Sequence, residues 1–245
     1  EFAANLAQVH KGIAEKEYAD PEEFFRRTFI TGGLKDLLTN ALKRLGDNSG
    51  DPVVELQTNF GGGKTHSMLA LYHLFSGVDT TLPGIETIID GDVPKPVKAN
   101  RAVLVGTDIS PGQPHTKPDG TLINTLWGEM TWQLLGKEGY KMLAQADQNG
   151  TSPGSHVLAE IFSKAAPCII LIDEWVAFVR QLYETQGLPA GSFDSNLTFA
   201  QALTEAVKMI PNVLLVASIP ASDVEIGGPA GKKSLDRLKN VFGRV

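Results

Sequence analysis

One cysteine, Cys168, in 245 residues leaves no partner for a disulfide within this sequence and no cysteine cluster for a metal. It stands in Pro167-Cys168-Ile169-Ile170-Leu171, where it reads as a small apolar residue of a buried strand. No apolar run approaches the roughly 20 residues that cross a bilayer. The 25 glycines follow no Gly-X-Y period, which excludes a collagen-like chain. Positive charge is not in excess: 22 Lys and Arg against 28 Asp and Glu give −6, which argues against a broadly basic nucleic-acid surface and leaves room only for a local groove. The five histidines have neither His-Glu-x-x-His nor Cys/His spacing, so they read as ordinary structural or surface residues. Trp127 and Trp132 lack interleaved basic residues and read as packing residues. No Gly-x-Ser-x-Gly elbow or Ser/His/Asp arrangement suggests another hydrolase chemistry. The opening Glu1-Phe2-Ala3-Ala4 shows neither an initiator Met nor a basic-then-apolar leader, so the expectation is a piece of a longer, cytoplasmic protein.

What is present is an ordinary globular composition, 42% hydrophobic and 20% charged, and an alternation of strands and helices. Leu6, Val9 and Ile13 have helical spacing. Asp20-Pro21-Glu22-Glu23 offers an N-cap, a first-turn proline and a capping box. Thr31-Gly32-Gly33 signals a turn before an apolar stripe (Leu34, Leu37, Leu38, Ala41, Leu42, Leu45) that Gly46 closes. Buried strands are expected at Val53–Gln57, Ala102–Gly106, Cys168–Ile172 and Val213–Ala217. Residues 64–75 read as a helix. Residues 77–100 and 108–121 read as insertions or loops, and 227–231 as a glycine-rich loop before a basic helix. Such alternation implies a mostly parallel sheet covered on both faces.

The chemistry lies at two strand ends. Val54-Glu55-Leu56-Gln57-Thr58-Asn59-Phe60-Gly61-Gly62-Gly63-Lys64-Thr65 runs strand, glycine-rich loop, helix, the context of a phosphate-binding P-loop or Walker A motif. Gly61, Gly62 and Gly63 can turn their N–H groups inward as an anion cradle, and the helix N-terminus adds partial positive charge. Lys64 then reaches the β- and γ-phosphates, and the Thr65 hydroxyl serves Mg²⁺. Thr58 stands where G-x-x-x-x-G-K-[ST] has its first glycine, so the loop entry departs from the usual pattern. The second end is Ile169-Ile170-Leu171-Ile172-Asp173-Glu174, a Walker B-like run. Asp173 would hold Mg²⁺, and Glu174 would polarise the attacking water. A glutamate there, with an extra strand between the two motif strands, marks P-loop proteins that hydrolyse ATP. Val213–Ala217 supplies such a strand, and Ser218 at its end is a candidate γ-phosphate sensor or simply the start of a turn. Asp108 either faces the same edge or begins the following loop.

With these residues in view, the chain resembles AAA+ ATPases and, within them, the large bacterial and archaeal ATPases grouped as DUF499. The resemblance covers nearly the whole chain. It is carried by Asp20 to Thr31, Leu56 to Met68, Asp119-Gly120-Thr121, Thr125-Leu126-Trp127-Gly128-Glu129 and Leu171-Ile172-Asp173-Glu174. It implies a three-layer α/β/α P-loop sandwich of ASCE type, with ATP and Mg²⁺ as cofactors. It also implies an adenine-side segment at Phe29, Ile30, Thr31 and Gly32, with a plain helix-to-helix turn as the alternative there, and it adds His66, next to Thr65, to the nucleotide side. Residues 1–50 would be a helical segment toward the adenine, and 51–245 an ATPase core ending before a fifth strand and a lid. The family context implies phage-defence islands, DNA methyltransferase partners and relationship to the large ATPase of BREX systems. It further implies homo-oligomers in which Arg244, or else Arg237, reaches a neighbour's γ-phosphate; a solvated basic face is the alternative for that helix.

The function expected is therefore ATP hydrolysis driving conformational work on a partner. A nucleotide-dependent switch or scaffold with little hydrolysis, and a DNA translocase, are the alternatives.

Overall fold

The structure, a computed structural model, describes residues 5–57, 63–77, 82–221 and 226–243. The chain runs α1 (Leu6–Lys11), α2 (Lys16–Ala19), α3 (Pro21–Arg27), α4 (Gly32–Gly46), β1 (Val53–Leu56), α5 (Gly63–Leu74), β2 (Asn100–Val105), β3 (His115–Thr116), β4 (Leu122–Ile123) and α6 (Leu126–Tyr140). It continues α7 (Ala144–Asn149), α8 (Ser155–Ala165), β5 (Cys168–Asp173), α9 (Trp175–Val179), α10 (Phe193–Met209), β6 (Val213–Ser218) and α11 (Gly228–Phe242). Four strands form one parallel sheet in the order β1-β6-β5-β2, so β6 lies between the two strands that carry the sequence motifs.

The strands read as near-continuous apolar runs because both faces are covered. Ala102, Leu104, Cys168, Ile170, Ile172, Val213, Leu215 and Ala217 join one core with α6, α8, α9, α10 and α11. Their neighbours Val103, Val105, Ile169, Leu171, Leu214 and Val216 join a second core with α1, α3, α4 and α5. Period-two side-chain alternation thus builds a layer of helices on each side of the sheet. Cys168 is buried, and burial pushes its thiol up to about 12, consistent with an inert packing residue.

Local signals were overridden in several places. Gly12 (φ 74) ends α1, so Ile13 lies beyond the helix and is 70% exposed. Asp20 does cap α3 by accepting from Glu23 N–H, but the Glu23 carboxylate pairs with Arg26 and Arg27 rather than returning to the cap. Thr31 is the N-cap of α4, with Gly32 and Gly33 in its first turn rather than in a turn before it. Gly46 does close α4, as expected, but without a left-handed φ: a Cβ there would lie 2.6 Å from Pro94, and the positive φ falls at Asn48. Residues 228–231 belong to α11 instead of a loop, and Leu235, Leu238 and Phe242 are its buried stripe. The segment 108–121 contains β3, which pairs with β4 as a small antiparallel hairpin.

The helical layer over β6 is held by a residue that composition does not single out. Arg44 of α4 is 5% exposed. Its guanidinium donates to the backbone carbonyls of Val213 (2.8 Å), Val207 (3.0 Å) and Ile210 (2.9 Å), and also to Asn48. The planar fork satisfies three carbonyls at the α10–β6 junction, a geometry that a lysine cannot copy. Arg44→Met should leave these acceptors buried and unpaired, at a cost of about 2–4 kcal/mol in denaturant unfolding, with Arg44→Lys recovering little of it.

Candidate functional site

Strand register brings the carboxyl ends of the sheet into line. Leu56 pairs with Ser218, and Val105 with Asp173. In a parallel α/β sheet this edge is where ligands bind. Asp173 and Ser218 are each 4% exposed. The Asp173 carboxylate divides its two oxygens. Oδ2 accepts from the Thr65 hydroxyl at 3.0 Å, across 108 residues of sequence. Oδ1 accepts from the Ser218 hydroxyl and from the Glu174 amide at 3.0 Å. The Glu174 N–H also lies 3.3 Å from Ser218 Oγ. Glu174 is left-handed (φ 55, ψ 37) and forms the N-cap position of α9. The first turn of α5, the end of β5 and the end of β6 therefore meet in one hydrogen-bonded cluster.

Gly63 and Lys64 occupy that same first turn of α5; Gly61, Gly62 and Thr58 lie outside the described residues, as does Arg244. His66 turns elsewhere. Its ring stacks on Phe24 at 4.6 Å and its Nε2 is 3.0 Å from Thr28 Oγ1, so it ties α3 to α5. Burial lowers its pKa, which keeps the imidazole neutral near pH 7. Of the 28–32 segment, Thr28 is thereby tied to α5, while Phe29 is 85% exposed, Ile30 packs over Gly84, and Thr31 and Gly32 begin α4. Arg237 faces α10, 3.9 Å from Asp194 and over the Phe193 ring. Asp108 begins the loop after β2, and its carboxylate pairs with Lys11 at 2.7 Å.

Sequence reasoning missed Gly106. A Cβ built there would lie 1.8 Å from the carbonyl oxygen of Glu174. The available signal was a glycine directly after a buried apolar strand, a position that often marks a close backbone approach.

The remaining motif residues fall on a second polar constellation. Asp119 makes the β3–β4 turn, accepting from Thr121 N–H and Trp132 Nε1, while Thr125 caps α6. Asp147, fully buried, accepts from Asn124 and Thr125 and from the Tyr140 hydroxyl at 2.6 Å. Only glycine fits at 128, since a Cβ would lie 2.1 Å from Asp147 Oδ1. Lys117 lies over the Trp132 ring at 4.6 Å. Burial alone would push the Glu129 carboxyl up; hydrogen bonds from His115, Lys117 and Gln133 outweigh it and hold the group at about 2. A carboxylate depressed from 4.5 contributes stability that is present above the unfolded value and is lost as pH falls through the folded one. Glu129→Gln should therefore flatten the stability loss between pH 4.5 and about 2, a difference of at most about 3 kcal/mol at neutral pH, read by denaturant unfolding across that range.

Fold and site together define an α/β protein whose parallel sheet carries an acidic strand end against the first turn of a glycine-preceded helix. The model of the DUF499 N-terminal domain matches residues 1–241, and the chain belongs to that family. No curated protein and no solved structure matches it.

Proposed function

We propose that this chain is the P-loop ATPase core, of ASCE/AAA+ type, of a larger protein. The observation that carries the reading is the Thr65–Asp173 hydrogen bond. It joins a Gly-Lys-Thr helix start to a carboxylate from a strand two places away, with β6 between them. That juxtaposition is what a metal–triphosphate site needs. The donors are oxygens of a hydroxyl and a carboxylate, and no cluster of three His, Cys, Asp or Glu exists among the described residues. This set fits Mg²⁺, which keeps several waters and takes phosphate oxygens, better than it fits zinc or calcium.

Thr65 Oγ1 and Asp173 Oδ2 would hold the ion, which when bound supplies charge neutralisation for the β- and γ-phosphate oxygens. Lys64 and the first amides of α5 would bind the same oxygens. Ser218 and the Glu174 amide hold Asp173 Oδ1, leaving Oδ2 directed at Thr65. Glu174, one residue beyond β5, would take the proton from the attacking water. Phe29, exposed and next in sequence to Thr28, which contacts His66 of α5, would offer an apolar face for the base. The resemblance of the motifs supports placing this activity in the cytoplasm, within a DNA-methylation-linked phage-defence assembly in which turnover drives conformational work. In that reading Arg244 is the first candidate for an arginine acting on a neighbouring copy.

Asp173→Asn tests the metal assignment. The Mg²⁺ concentration for half-maximal ATP binding should rise about tenfold or more, because an amide oxygen replaces an anionic ligand. An unchanged Mg²⁺ dependence by calorimetry excludes Asp173 as the metal-side carboxylate.

A further inference from the structure

Glu174 sits on a strained backbone. For a residue with a Cβ, the left-handed region is sterically disfavoured and persists only where neighbours over-determine it. Two strands flank it. On the β6 side, Ser218 Oγ faces the Glu174 N–H at 3.3 Å. On the β2 side, Gly106 donates its own N–H to the carbonyl of Asp173 at 2.8 Å. The Glu174 carbonyl then passes directly over the Gly106 Cα. A Cβ at 106 would lie 1.8 Å from that oxygen, 2.7 Å from the carbonyl carbon and 3.1 Å from Phe178 Cβ. Gly106 itself has no positive φ, so glycine is required by the approach of Glu174 rather than by its own conformation. The same carbonyl accepts the Phe178 N–H at 3.4 Å, opening the first turn of α9. The Glu174 peptide is thus gripped between the ends of β2 and β6, and its left-handed turn decides where the side chain leaves the strand.

We propose that Gly106 is a positioning residue for Glu174: its missing Cβ admits the left-handed Glu174 peptide at the β2 edge, and Ser218 holds that peptide from the β6 edge. This rests on the hydrolytic reading above and adds to it the residue that aims the base. Gly106 follows β2, at the opposite end of the sheet order from β1 and α5, so its substitution is expected to act on chemistry rather than on affinity.

The test is a double-mutant cycle in the whole chain, with MgATP affinity by calorimetry and hydrolysis under single-turnover conditions. Gly106→Ala should keep ATP affinity within about threefold and slow hydrolysis about 10- to 100-fold, since an ångström-scale misplacement of a reacting group costs that much. In the Glu174→Gln background it should slow hydrolysis no further, because residues acting as one unit are non-additive. Wild-type rates in Gly106→Ala, or an equal additional loss in the Glu174→Gln background, overturn the proposal. If Gly106→Ala does not fold, Ser218→Ala goes through the same cycle. Its effect on hydrolysis should largely vanish in the Glu174→Gln background, with any remainder appearing as altered Mg²⁺ dependence through Asp173. Backbone carbon shifts of labelled Glu174 separate the two levels of the claim. A left-handed signature in the wild type that Gly106→Ala abolishes supports the grip; its persistence in Gly106→Ala overturns it. A wild type that binds and hydrolyses no nucleotide while keeping that signature removes the hydrolytic reading, and with it the role assigned to Gly106 in catalysis.

Discussion

Glu174→Gln is expected to bind MgATP as tightly as the wild type and to hydrolyse it about 10²- to 10⁴-fold more slowly, the range that a positioned general base supplies. The amide has the shape of the carboxylate but cannot take a proton from water. The substitution keeps the backbone contacts that place residue 174: N–H to Asp173 Oδ1 and toward Ser218 Oγ, and C=O over Gly106. Separation of binding from turnover is the diagnostic feature. A variant that loses affinity in parallel with rate shows that Glu174 serves the fold or the ligand rather than the chemistry. A variant with wild-type turnover removes Glu174 as the base; turnover that is equally negligible in wild type and variant leaves a nucleotide-dependent switch as the better description.

Lys64→Ala is expected to weaken MgATP binding about 10²-fold, because charge-assisted contacts to phosphate oxygens are among the strongest a protein makes. Lys64 lies in the first turn of α5, one residue before Thr65, where the helix dipole also favours an anion. Alanine is a good helix former, so α5 and its buried face from Met68 to Leu74 should persist and melting should change little. Affinity that survives in this variant at low salt removes the phosphate assignment from α5 altogether.

The strands were legible because burial on both faces leaves little choice. Ile169 to Ile172 had to be apolar at every position, and only a parallel sheet between two helical layers uses such a run. The site was legible for a related reason. Parallel strands deliver their last residues to one edge, so Asp173 and Ser218 were bound to be neighbours once β5 and β6 paired, and the first turn of α5 brought Thr65 to them. Missed features depend on contacts distant in sequence. Thr31-Gly32-Gly33 carries turn residues, yet Thr31 found the Leu34 amide and became a cap. His66 adjoins Thr65 in sequence but, one position round the helix, faces α3. Asp147 lies in a polar stretch of sequence that does not single it out; its role as the buried acceptor behind α6 needs Asn124, Thr125 and Tyr140 brought to it. Gly106 could not be ranked above the other glycines until the Glu174 carbonyl was seen to cross it.

The most direct measurement of the central claim is the position of a non-hydrolysable ATP analogue with Mn²⁺ substituting for Mg²⁺, determined crystallographically with the anomalous signal of manganese. Triphosphate density is expected over the first turn of α5 and a manganese peak between Thr65 and Asp173, with Glu174 beyond the γ-phosphate. Analogue bound at another place, such as the cleft between α1 and α6 that Lys11, Asp108 and Glu129 line, or saturating analogue that leaves Thr65 and Asp173 without metal, contradicts it.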